Sequence, residues 1–145
     1  MKAMMKKHLK NQKGLTLIEL LAVVVILGII AAIAIPSIGA IIDNTRKDAH
    51  IANAEQMVNA VKTAKATNVG SGNSYTLATL VSEGLIEDPD IPGGKGKYDG
   101  GASNVTIANN VYTVTLKAED SSGNILQKTL EELRGDNRRA DITLP

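Results

Sequence analysis

Apolar residues fall along this chain in two regimes. From Leu20 to Ile42 no residue is charged, and the run is apolar all round. As an α-helix rising about 1.5 Å per residue it reaches roughly 34 Å, enough to cross the hydrocarbon core of a bilayer. Beyond it, apolar positions recur at Ile51, Ala54, Val58 and Val61, spaced by three and four, with Glu55, Gln56, Asn59, Lys62 and Thr63 between them. That is an amphipathic stripe. No Gly or Pro falls between Ile42 and Gly70, so the two regimes are predicted to be one helix from about residue 16 to about residue 67, closed by Asn68-Val69-Gly70. Pro36 lies inside it. Proline lacks the N–H and crowds the carbonyl four residues back, which predicts a kink or loosening over residues 32–36, with Gly28 and Gly39 as further weak points of a hinge.

The remainder reads as short elements. Residues 70–74 are a Gly/Ser loop, and residues 76–86 a short helix that Thr76 can cap and Gly84 can stop. Residues 87–101, rich in Asp, Pro and Gly, are expected to be an exposed connection. Val105-Thr106-Ile107-Ala108, then Asn109-Asn110, then residues 111–117 give a hairpin pattern, with asparagine suited to positive φ in the turn. Residues 119–124 make the next turn and residues 125–130 a third strand. In the tail, residues 130–134 read as a helical turn and Ile142-Thr143-Leu144 as a short edge strand. The expected class is α+β: a long N-terminal helix packed on a small antiparallel sheet of three to four strands.

Charge then sets the orientation. Lys2, Lys6, Lys7, Lys10 and Lys13 precede the apolar run without an acid among them, so the N-terminus should stay cytoplasmic and everything after Ile42 lie outside. A secretory signal peptide shares this layout, but its apolar region is about 7–15 residues, and no small-x-small cleavage site closes this one. A plain signal anchor would work without Glu19. A carboxylate costs about 2.5–3.5 kcal/mol at mid-membrane and less near the interface, and by default it marks function.

The segment Gly14-Leu15-Thr16-Leu17-Ile18-Glu19-Leu20-Leu21-Ala22-Val23, running on through Gly28 and Pro36, closely resembles the N-terminus of type IV prepilins and the related pseudopilins over about residues 13–39, and a Gram-positive type IV pilin is among the matching kinds. The shared features are a basic leader ending in Gly, Glu at the fifth position after it, and a long apolar helix. The resemblance implies a class III-type signal: a prepilin peptidase cuts between Gly14 and Leu15 and methylates the new amine of Leu15. Many members have Phe at that first mature position, and Leu15 departs from this. It implies also that Glu19 faces the Leu15 amine of a neighbouring subunit, and that the helix near Gly28, Pro36 and Gly39 extends or melts on assembly. The domains would be a leader over 1–14, a transmembrane and polymerisation helix over 15–42, and an extracellular head over 43–145. The head would divide into the amphipathic half-helix (43–67), an αβ-loop (68–101) and the sheet and tail (102–145). The Leu77 to Ile86 pattern resembles the αβ-loop of many pseudopilins and Gram-positive pilins.

Composition changes the picture in three places. Removing the five leader lysines from a net charge of +1 leaves −4, so a polyanion-binding surface is not expected. There is no cysteine, whereas many Gram-negative pilins close a C-terminal loop with a disulfide. Three Tyr are the only aromatic residues, so the head must pack with aliphatics. His50, on the polar part of the helix, is read as solvated. Without zinc-ligand spacing or a phosphate loop, neither enzyme nor cofactor is expected. Asp120 and Asn124 are calcium candidates in a flexible turn, though acidic turns are usually just solvated. Arg134, Arg138 and Arg139 cluster among Glu131, Glu132, Asp136 and Asp141, which favours surface or inter-subunit salt links over nucleic acid.

The resulting expectation is a structural subunit, held single-pass in the inner (cytoplasmic) membrane and then polymerised into a helical cell-surface pilus, or fimbrium, for adhesion, motility or DNA uptake. Its partners would be its own copies, prepilin peptidase, an assembly ATPase, a platform protein and minor pilins. The alternatives are a pseudopilin of a type II secretion or competence machine, and a signal-anchored monomeric binding domain.

Overall fold

In the computed structural model, residues 16–70, 72–94 and 96–145 are described in full, and residues 2–15 by their backbone alone. The elements are α1 (Lys2–Ala66), β1 (Ser74–Thr76), α2 (Leu77–Ser82), β2 (Asn104–Ala108), β3 (Val111–Lys117), β4 (Asn124–Thr129) and α3 (Leu130–Arg134). The chain divides into two compact units, Met1–Ile41 and Ile42–Pro145. The backbone is helical upstream of residue 16, where the sequence reading had begun the helix, and α1 is unbroken through Gly28, Pro36 and Gly39. At its end Asn68 takes φ +56°. Val69 N–H donates to the Ala64 carbonyl (2.8 Å) and Asn68 N–H to that of Lys65 (3.4 Å), the Schellman arrangement with asparagine in the left-handed position.

The second unit is an antiparallel sheet in the order β1-β2-β3-β4. Asn109 and Asn110, both at positive φ, make the two-residue turn whose twist suits a hairpin. Alternation places Tyr75, Val105 and Val114 in one inward row. Lys128 ends that row on β4; it is buried along its stem, and its ammonium lies 3.9 Å from Asp141. A long aliphatic stem with a wet head makes this tolerable. Outward, Ser74-Thr106-Thr113-Thr129 and Thr76-Asn104-Thr115-Gln127 form two cross-strand rows. These are small polar side chains, and the β-branched threonines among them suit a half-wet pleat. The inner face shares one core with Ile51, Ala54, Met57, Val58, Val61 and Ala64 of α1.

Local chemistry fixes the short helices. Thr79 N–H donates to Thr76 Oγ1 (3.2 Å) at the start of α2. Gly84, at φ +68°, closes that helix, with Leu85 N–H on the Leu80 carbonyl at 3.0 Å. At α3, Thr129 and Glu132 form a reciprocal capping box: Glu132 Oε2 accepts from Thr129 N–H at 2.7 Å and Thr129 Oγ1 accepts from Glu132 N–H at 3.3 Å. Thr129→Ala is therefore expected to cost about 1 kcal/mol, read as a lower urea midpoint with an unchanged slope.

Four readings of the sequence are corrected. The fourth strand is β1, where the sequence suggested loop and cap. Three residues are too few to show alternation, and the strand exists because Ser74, Tyr75 and Thr76 pair with Thr106, Val105 and Asn104. Residues 142–144 form no strand: Thr143 N–H donates to the Ile125 carbonyl (3.0 Å) and Ile142 is buried. Nor is the 87–101 connection simply exposed. Ile91 and Tyr98 are buried, and Tyr98 bridges Ala118 beyond the end of β3. Finally, His50 is not solvated but fully buried (0% exposed), with Nδ1 2.6 Å from Tyr98 Oη. Positive-φ Gly93 packs under the Arg46 side chain, where a Cβ would collide with the guanidinium Nε.

The basic cluster of the tail pairs with α1 and not with the acids beside it in sequence. Arg134 Nε lies 3.0 Å from Glu55 Oε1, and Arg139 grips Asp48 with two nitrogens, Nε to Oδ1 at 2.8 Å, while Arg138 Nε is 3.5 Å from the same oxygen. The bond from Arg139 holds the Asp48 carboxyl below the ordinary carboxylate range. These are partly exposed pairs, so they orient the tail more than they stabilise it.

Candidate functional site

The apolar stretch of α1 is a helix with little of its own chain to pack on. From Thr16 to Ile42 every residue is exposed except Ala34, which is half-buried. The large apolar side chains from Leu17 to Ile42 are roughly half to two-thirds exposed, and beyond them Val111 is the one described large apolar residue so exposed. A continuous apolar surface of this kind is covered in use by lipid or by protein. Thr16–Ala66 contains a window long and apolar enough to cross a membrane.

Glu19 is the one ionisable residue among residues 16–42. Helical periodicity sets it on the same strip as Leu15 and Thr16 one turn before and Ala22 and Val23 one turn after. Gly14 and Leu15, where cleavage and methylation were expected, are helical in backbone, and their side chains lie outside the described residues. At Gly28 and at Gly39 an added Cβ would meet nothing within 4 Å. Neither glycine is held small by a contact among the described residues. Pro36 leaves the carbonyl of Ala32 without its usual helical donor.

Of the other candidates, Asp120 lies in the turn between β3 and β4 and Asn124 is the first residue of β4, its Nδ2 donating to Gln127 Oε1 at 3.4 Å. Among the described residues no three His, Cys, Asp or Glu side chains gather in a way that could hold a metal ion. An open cavity of about 570 Å³ lies between the β2–β3 turn and α3 against Val111, Tyr112 and Leu130. The cluster of buried His50 and Tyr98 with half-buried Asn53 was missed in the sequence. The signal was present: residues 50, 54, 57, 61 and 64 keep helical spacing on one face, and all are buried.

Comparison with known proteins supplies the rest. Residues 9–35 match the family described as the prokaryotic N-terminal methylation motif. Over 112 residues the chain is 36% identical to the type IV major fimbrial protein FimA of Dichelobacter nodosus, an alignment that takes in 77% of this chain and 63% of that protein. The chain thus spans less than two-thirds of that relative's length. No solved structure matches. The chain carries a prokaryotic N-terminal methylation motif, an apolar N-terminal helix and a four-stranded antiparallel sheet, and it is similar to a type IV major fimbrial protein.

Proposed function

We propose that this chain is the structural subunit of a type IV pilus, made as a prepilin, cut between Gly14 and Leu15, methylated on the Leu15 amine and polymerised through residues 15–42. The observation that carries the reading is an exposed apolar helix holding one carboxylate, Glu19, inside a methylation motif. Before assembly the five leader lysines keep the N-terminus cytoplasmic and place residues 43–145 outside. An assembly ATPase and platform protein would draw the subunit from the membrane, and minor pilins would accompany it. The Dichelobacter relative is by name a major fimbrial protein, which supports a surface filament over a secretion or competence pseudopilin, and a structural role over an enzymatic one.

Lipid is as apolar as a neighbouring helix, so moving the rod from bilayer to bundle yields little hydrophobic free energy. Packing at small residues such as Gly28 and Gly39, together with polar pairing, must select the register. A buried carboxylate and a buried ammonium are each costly alone and tolerable when paired. Glu19 of one copy against the Leu15 amine of the next meets that condition. Mass spectrometry of the protein purified from its native envelope tests the reading: the N-terminal peptide is expected to begin at Leu15 and to carry one methyl group. A native protein that retains residues 1–14 would sink it.

A further inference from the structure

Asn53 Nδ2 donates to Tyr98 Oη at 3.2 Å and to the Asp90 carbonyl at 3.4 Å, while His50 Nδ1 sits 2.6 Å from the same Oη, with the two rings edge-on at 5.8 Å and 79°. Only one tautomer gives the phenol proton an acceptor. Tyr98 O–H donates to Nδ1, so the imidazole proton is on Nε2, and Nε2 is buried with no hydrogen-bond partner among the described residues. The His50 side chain is fully enclosed, and burial pushes its pKa below the ordinary 6.5. Burial likewise raises the Tyr98 hydroxyl to about 12, the Asn53 bond opposing it.

Several charged groups described on the surrounding elements are engaged elsewhere. On α1, Asp48 is held by Arg138 and Arg139 of the tail, and Arg46 lies against Gly93. On the segment carrying Tyr98, Asp88 and Asp90 pair with Lys97, and the Asp99 carboxylate accepts from the N–H groups of Gly101 and Ala102. Of these described groups, none supplies a counter-charge to an imidazolium. A proton added at Nδ1 would also turn that atom from acceptor to donor, leaving the Tyr98 O–H without its acceptor inside the core.

We propose that His50 and Tyr98 form an acid-released latch: the neutral pair holds the segment carrying Asp90 and Tyr98 on α1, and protonation of His50 lets that segment go. The depressed folded-state pKa fixes the sign. The latch is closed above about pH 6.5, where the released His50 is neutral too, and its closure weakens as pH falls from there toward the lower folded-state value. In that window the open fraction rises up to about tenfold per pH unit. The Asp48 clasp, with its depressed pKa, fails only below the carboxylate range of 3.8, so the two are separable. In a polymer of the kind proposed above, release would alter the head surface without touching residues 15–42. The latch itself is a property of one chain and stands apart from that reading.

The test is hydrogen exchange on the full chain in detergent, corrected for intrinsic rates, at about pH 7.5 and pH 5.5. The reporters are the Asp99 amide, bonded to the Lys117 carbonyl (2.8 Å), and the Glu119 amide, bonded to that of Lys97 (3.3 Å). Their protection is expected to fall on acidification, by up to about tenfold, while the Val69 amide, bonded to Ala64, holds. His50→Gln should abolish the pH response. An equal response in that variant, or none in the native protein, overturns the latch. Should His50→Gln not fold, imidazole NMR of the native chain decides: an Nε2–H tautomer titrating below 6.5 supports it, and titration at the ordinary value overturns it.

Discussion

Glu19→Val is expected to leave the protein in the membrane while cutting recovery of assembled filaments by on the order of a hundredfold. Insertion should not suffer, because the change removes the one charge from residues 16–42 and with it a penalty of about 2.5–3.5 kcal/mol at mid-membrane, less near the interface. Assembly suffers for the opposite reason. In a packed helical bundle the freed amine of Leu15 would have no carboxylate, and breaking one side of a buried pair costs about 3–5 kcal/mol. At about 1.4 kcal/mol per factor of ten, the lower bound already gives two orders of magnitude. Glu19→Asp should recover part of the yield, since charge is kept and reach is lost. Glu19→Gln should behave like valine if charge decides, and like the native residue if a hydrogen bond suffices. The measurement is the ratio of sheared filament to membrane-held subunit for each variant. A native ratio in the valine variant would remove Glu19 from assembly.

The rod was legible in the sequence because it depends on local quantities: the length of the apolar run and the spacing of the stripe that follows it. So were the asparagine pair at residues 109–110, the Thr76 and Gly84 caps and the helical turn at residues 130–134, since each is decided within four or five residues. What was not legible depends on distant partners. β1 is a strand only because β2 lies beside it. The stretch around Tyr98 has the composition of a surface loop, yet Asp99 N–H and the Tyr98–Ala118 bridge tie it to the end of β3. His50 was misplaced because its type outweighed its spacing. Its position matches the buried stripe of α1, and a neutral histidine can be buried when another side chain satisfies one nitrogen. The arginines of the tail chose Glu55 and Asp48, separated from them by 79 and 91 residues in sequence, over acids a few positions away, and no local pattern could rank those choices.

Leu116→Ala is expected to unfold the second unit at a temperature lower by more than about 10 °C while leaving membrane insertion untouched. Leu116 is fully buried on the inner face of β3, a central strand, opposite Leu126 of β4. Truncating a buried leucine costs about 2–5 kcal/mol, the transfer of the lost carbons plus the cavity left behind. The cavity should close poorly here, because Leu116 lies in the core shared by the sheet and α1 and is paired with the buried Leu126 of β4. Small domains have about 5–15 kcal/mol in all, and one of this size moves by several degrees per kcal/mol. Without Trp or Phe, the core buries Tyr75 and Tyr98 and otherwise relies on aliphatic side chains such as Leu116. Leu17→Ala is the matched control: Leu17 is 69% exposed, so the same truncation should leave the melting temperature unchanged. Near-ultraviolet circular dichroism of the buried Tyr75 and Tyr98 separates the melting of this unit from the helical signal of residues 15–42. A shift of less than about 2 °C in Leu116→Ala would mean that the sheet is not closed over α1 as described.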